Sequence, residues 1–84
     1  MMIMRMNGKF VRTLDGLMRN LCLDELLSSY FTGELEIFLD KVGEHEKAAA
    51  LKNIPDNAFL LVRLYEVFGL DPELTEDEIR EKFS

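Results

Sequence analysis

The side chains of this 84-residue chain with which chemistry could be done are one histidine, one cysteine and sixteen carboxylates. The histidine sits in Gly43-Glu44-His45-Glu46-Lys47, where an imidazole flanked by glutamates raises the question of an ion site or an acid/base pair. Adjacent residues on a helix point about 100° apart, so three consecutive side chains do not converge on one ion from a regular turn. A zincin motif needs a second histidine at i+4, and that position is Ala49. Glutamates near a helix N-terminus answer the helix dipole. The stretch therefore reads as the polar opening of a helix, with His45 a pH-sensitive surface group.

Cys22 is the one candidate nucleophile. A thiolate attacker needs a base within hydrogen-bond reach, and no spacing in the sequence places His45 beside it. A small residue at a helix entry, half-buried between Leu21 and Leu23, is the reading adopted. A single cysteine also excludes an intramolecular disulfide, and with a single histidine it cannot complete a structural zinc site within one chain. A reducing compartment is expected. The carboxylates Asp71, Glu73, Glu76, Asp77, Glu78 and Glu81 form a run on a short helix and its approach, which reads first as a solvated face. Glu76, Asp77 and Glu81 are retained as candidates for docking onto a basic partner. The five glycines stand singly, so neither a phosphate-cradling loop nor an EF-hand loop is present. No catalytic residue, metal ligand or cofactor site is assigned, and no enzyme is expected.

The elements that would position these side chains belong to one small domain spanning residues 1–84, of a size that buries less than about two-thirds of its unfolded surface. The hydrophobic share of 48% and charged share of 31% are those of a globular chain rather than a disordered one. The opening MMIMRM is too short an apolar run, broken by Arg5, for a signal peptide or a membrane span. A cytoplasmic location away from membranes is expected. The net charge of −6 is divided unevenly: residues 1–22 hold four basic side chains against one acid, and residues 23–84 hold six against fifteen. A field of that sign opposes a polyanion over most of the surface, so direct nucleic-acid binding is not expected and another protein is the expected partner.

In IMRMNGKFVRT an Asn-Gly pair separates two runs that favour extended structure, the signature of a two-residue hairpin turn. Strands are expected near residues 2–6 and 9–13, with Met6 opposite Lys9, Arg5 opposite Phe10, Met4 opposite Val11 and Ile3 opposite Arg12. Alternation then sets Met2, Met4, Met6 and Val11 on one face and Ile3, Arg5, Phe10 and Arg12 on the other. A two-stranded hairpin is marginal alone, so the methionine face needs helices beneath it.

Thr13 can cap a short helix running to about Asn20. Leu23, Leu26, Leu27, Tyr30 and Phe31 follow the spacing of one buried helical stripe, and Leu35, Phe38, Leu39 and Val42 repeat it between Gly33 and Gly43. Another helix is expected from Glu44 to about Asn53, with Ala48, Leu51 and Ile54 inward, before Pro55 breaks it. AFLLVRLYEVF is apolar nearly all round, interrupted by Arg63 and Glu66 on one side, and predicts a central helix over about 57–68. Thr75 and Glu78 form a capping box, flanked by the hydrophobic staple of Leu74 and Ile79, for a last helix over 76–83. The architecture expected is mainly α with a small β component: an N-terminal hairpin packed on five or six short helices. The outer hairpin face of Ile3, Arg5, Phe10 and Arg12 is then a small cationic, partly aromatic surface, of the composition found at the centres of protein interfaces.

The runs NGKFVRTLDGLMRNL and LDELLSSYFTGELEIFL resemble a short module that recurs in bacterial multi-domain proteins of unknown function. Its pattern is a Gly-Lys turn, a Val-Arg-Ser/Thr-Leu strand end and a helix pair closing on aromatic-x-x-Gly-x-Leu-x-x-Trp-Leu. The matching positions are Gly8, Lys9, Val11, Arg12, Thr13, Leu14, Tyr30 or Phe31, Gly33, Leu35, Phe38 and Leu39, with Phe38 standing where tryptophan is usual. Leu21-Cys22 departs from it too, standing in place of an aromatic and a capping acid. The resemblance covers about two-thirds of the chain and implies an interaction or scaffolding unit, with no activity of its own. Two readings of function result. One is a non-catalytic protein-binding module, an accessory or regulatory protein of a bacterium or phage, with a homodimer compatible. The alternative is an acidic inhibitor of the anti-defence, anti-CRISPR type from a phage or mobile element, blocking a nucleic-acid-binding enzyme by presenting the carboxylates of residues 71–81 and 34–46 to its basic groove.

Overall fold

Asn7 and Gly8 both take positive φ, 52° and 76°, as a two-residue turn between right-twisted strands requires. The strands on either side are β1 (Met4–Met6) and β2 (Lys9–Val11), antiparallel, with Met4 opposite Val11, Arg5 opposite Phe10 and Met6 opposite Lys9. The computed structural model describes residues 3–84, so the expected place of Met2 on the buried face lies outside the described residues. Alternation holds in β1, where Met4 and Met6 are buried and Arg5 is exposed, and in β2 it buries Val11 and exposes Phe10, while Lys9, opposite Met6 at the turn, reaches out to solvent.

Six helices follow: α1 (Leu14–Arg19), α2 (Leu23–Thr32), α3 (Glu34–Lys41), α4 (His45–Leu51), α5 (Leu60–Val67) and α6 (Glu76–Phe83). Thr13 caps α1, its hydroxyl oxygen accepting from the Gly16 amide at 3.0 Å. Between α2 and α3 the chain turns at a single residue. Gly33 at φ 86° is at once the left-handed end of the first helix and the start of the second, a conformation open to glycine because it lacks Cβ. The core runs from the hairpin's methionine face through Leu17 and Met18 of α1 and Leu26 of α2 to Leu35, Phe38 and Leu39 of α3, and it closes on Leu51, Leu64 and Ile79. The helix pair α3–α4 is closely packed, as is α1 against α6. Mainly helical with a small hairpin, the architecture matches the sequence expectation.

Two elements depart from that expectation in detail. The stripe assigned to α2 included Phe31, which is 63% exposed, whereas Ser29 is buried with its hydroxyl donating to the Leu26 carbonyl at 2.8 Å. At about 100° per residue, Phe31 lies about 140° from the buried Leu26, and Ser29 only about 60° on its other side. The helix expected over 57–68 forms over Leu60–Val67, because Asn57 Oδ1 accepts from the Phe59 amide at 2.8 Å and holds the preceding residues in a turn. It buries Leu64 and Tyr65 and leaves Phe59 and Leu61 exposed, so it closes the core from one side instead of lying within it. Arg63 and Glu66 do share one side and form an ion pair at 3.1 Å.

The capping box forms at α6: Thr75 Oγ1 accepts from the Glu78 amide at 3.2 Å, and Glu78 Oε1 accepts from the Thr75 amide at 3.0 Å. With both donors satisfied by side chains, Thr75→Ala is expected to destabilise the fold by about 1 kcal/mol. The melting temperature should then fall by about 4–8 °C, read by circular dichroism. An unchanged melting temperature would remove the box from the account of why α6 forms.

Candidate protein-binding surface

Met4, Met6 and Val11 turn the hairpin's inner face into the core, so its other face is left largely to solvent. Arg5 and Phe10 lie opposite each other across the strands, Ile3 precedes β1, Arg12 follows β2, and all four are exposed. Phe10 is 75% exposed and Ile3 43%. Arg5, Lys9 and Arg12 form no salt bridge among the described residues, whereas Arg19, Lys47, Arg63 and Arg80 are each paired with a carboxylate. A planar guanidinium free of a partner can grip a carboxylate through two parallel hydrogen bonds, and a neighbouring phenyl ring supplies apolar area at small entropic cost. The patch is also held in place. The Asn7 amide in the turn donates to Glu25 Oε1 of α2 at 2.9 Å, which ties the tip of the hairpin to the helical body.

The acidic candidates are not gathered in the same way. Glu76 turns toward the start of α2, where its Oε2 accepts from the Leu23 amide at 3.3 Å. That is a carboxylate at a helix N-terminus whose own cap residue, Cys22, provides no side-chain bond. Arg80 then reaches back to Glu76 at 3.4 Å and to Asp77. Asp77 and Glu81 stay at the surface, and Glu76 is spent on joining α6 to α2. Next to this junction the Tyr65 hydroxyl donates to the Leu74 carbonyl at 3.3 Å. Burial, and after it the negative charge of Glu76, raises the phenol's pKa above its ordinary value and keeps it a donor.

His45 opens α4 as expected, and its Nδ1 lies 2.5 Å from Asp40 Oδ1 across the Gly43 corner, with both side chains largely in solvent. Glu44 pairs with Lys47 at 2.9 Å instead of turning toward the imidazole. Cys22 is half-buried, and its amide donates to Met6 Sδ at 3.3 Å. Among the described residues no three His, Cys, Asp or Glu side chains stand close enough together to hold a metal ion. No helix among them is long and apolar enough to cross a membrane.

A second surface escaped the sequence reading. Phe31 at the end of α2 and Ile37 on α3, 63% and 51% exposed, flank shallow hollows between α2, α3 and α4. The signal available was angular: counted from Leu26, Phe31 falls at the edge of its stripe, and counted from Phe38, Ile37 is about 100° away. No protein-family model, curated protein or solved structure matches the chain.

Proposed function

We propose that this protein is a non-catalytic protein-binding module, an accessory or regulatory protein of a bacterium or phage, that meets its partner through the outer face of the hairpin. The observation that carries the reading is the conjunction on one hairpin face of two arginines without a salt bridge among the described residues, Arg5 and Arg12, with the exposed Phe10 and Ile3. Aromatic and arginine side chains are those on which protein interfaces concentrate their energy, and the cations select an acidic surface on the partner. The non-catalytic reading draws its support from the scattering of the reactive side chains: His45 meets Asp40 at the surface, and no three His, Cys, Asp or Glu side chains among the described residues gather into one metal-binding cluster. The same hairpin-and-helix pattern resembles the module of bacterial multi-domain proteins that the sequence suggested.

The competing reading, a carboxylate mimic of a nucleic-acid backbone, has less to stand on. Glu76 and Asp77 are held by Arg80, and Glu76 also by the start of α2. Capture from the source cell followed by mass spectrometry, run in parallel with variants, separates the two. Arg5→Glu and Phe10→Ala should each weaken binding of the captured partner by about tenfold or more, while Asp77→Lys with Glu81→Lys leaves it unchanged. The reverse pattern, with a steep loss of affinity in salt, would transfer the function to the acidic face.

A further inference from the structure

The hollows beside Phe31 and Ile37 form one surface. One, of about 360 Å³, is walled by Tyr30, Phe31 and Asp56, and its neighbour, of about 250 Å³, by Ile37, Asp40 and His45. Both are lined by Glu36 and Lys52, so they meet there. Apolar anchors are thus rimmed by three carboxylates, Glu36, Asp40 and Asp56, against one lysine. Glu36 and Asp56 form no salt bridge among the described residues, whereas Asp40 is paired with His45. An occupant complementary to this groove carries an aromatic or branched apolar group between cations.

The hairpin's outer face has that composition, with Phe10 and Ile3 between Arg5 and Arg12. The two surfaces flank the same helix. Arg5 borders a hollow formed with Ser28, Thr32 and Glu34 on one side of α2, and Phe31 opens into the groove on another. We infer that the acidic groove across α2, α3 and α4 receives the basic hairpin face of a second copy of this chain, with Phe10 seated beside Phe31 and Ile37 and the arginines facing Glu36 and Asp56. In a two-fold arrangement each copy offers both surfaces, and the assembly closes as a dimer. The inference rests on the reading of the hairpin as a binding face and names a second copy as its first partner.

Sedimentation velocity over a concentration series tests it with the full chain. The expected result is a dimer whose dissociation constant rises by about tenfold or more from low to high salt. Arg5→Glu with Arg12→Glu, and separately Glu36→Lys with Asp56→Lys, should each be monomeric alone, and the two mixed should dimerise because opposite charges again face each other. Phe10→Ala should weaken the dimer without changing its salt dependence. A chain that stays monomeric throughout overturns the self-pairing. If Arg5→Glu still releases the captured partner in that case, the binding role of the hairpin stands while its pairing with the groove falls. A dimer that persists in both charge variants places the contact elsewhere and overturns the inference as well.

Discussion

Phe38→Ala should lower stability by about 3–5 kcal/mol, the largest single loss expected in this chain. Phe38 is the largest side chain wholly removed from solvent, and it stands on α3, which packs against both α2 and α4. Cutting it to a methyl group opens a void where α3 packs against α2 and α4. A chain of this length has a total stability of about 4–13 kcal/mol, so the loss is a large fraction of the whole. At about 4–8 °C per kcal/mol the melting temperature should fall by more than about 12 °C, and the urea midpoint should move with it. Phe38→Leu should keep most of the stability, because it preserves much of the volume. A Phe38→Ala variant that melts like the parent would mean that α3 is not the element around which the others are arranged.

Features specified by residues close in sequence were legible. The Asn7-Gly8 pair fixes two turn residues, and from there the register and both faces of the hairpin follow by alternation. The Thr75-Glu78 box and the Thr13 cap are equally local, each closed within three residues. Contacts between distant segments were hidden. Glu76 satisfies the Leu23 amide 53 residues away, and nothing in either neighbourhood announces it. A run such as AFLLVRLYEVF reports that a helix is apolar, yet whether Phe59 and Leu61 are covered depends on what the rest of the chain supplies. The candidate site divides along the same line. The hairpin patch could be read from period-two alternation, whereas the groove beside Phe31 exists only because Gly33 folds α3 back against α2.

Met6→Ala should cost about 2–5 kcal/mol through lost packing alone, and Met6→Leu should separate that loss from a second one. Met6 has no solvent exposure, and its sulfur accepts from the Cys22 amide at 3.3 Å. That amide is one of the donors at the start of α2 with no partner inside the helix, and Cys22 offers no side-chain cap of its own. Leucine at position 6 keeps nearly the same volume, so packing alone predicts a loss of less than about 1.5 kcal/mol. It provides no acceptor, however, and an amide left unsatisfied at this half-buried position adds up to about 1–3 kcal/mol. Native-state hydrogen exchange reads the second effect directly: the Cys22 amide should exchange faster in Met6→Leu than the difference in global stability accounts for, while the Leu26 amide, bonded to the Cys22 carbonyl at 2.8 Å, follows the global change. Unaltered relative protection at Cys22 would show that the sulfur fills space without accepting a bond. A selective loss would show that the hairpin, besides roofing the core, caps the helix beneath it, which couples the exposed face of Arg5 and Phe10 to the stability of α2.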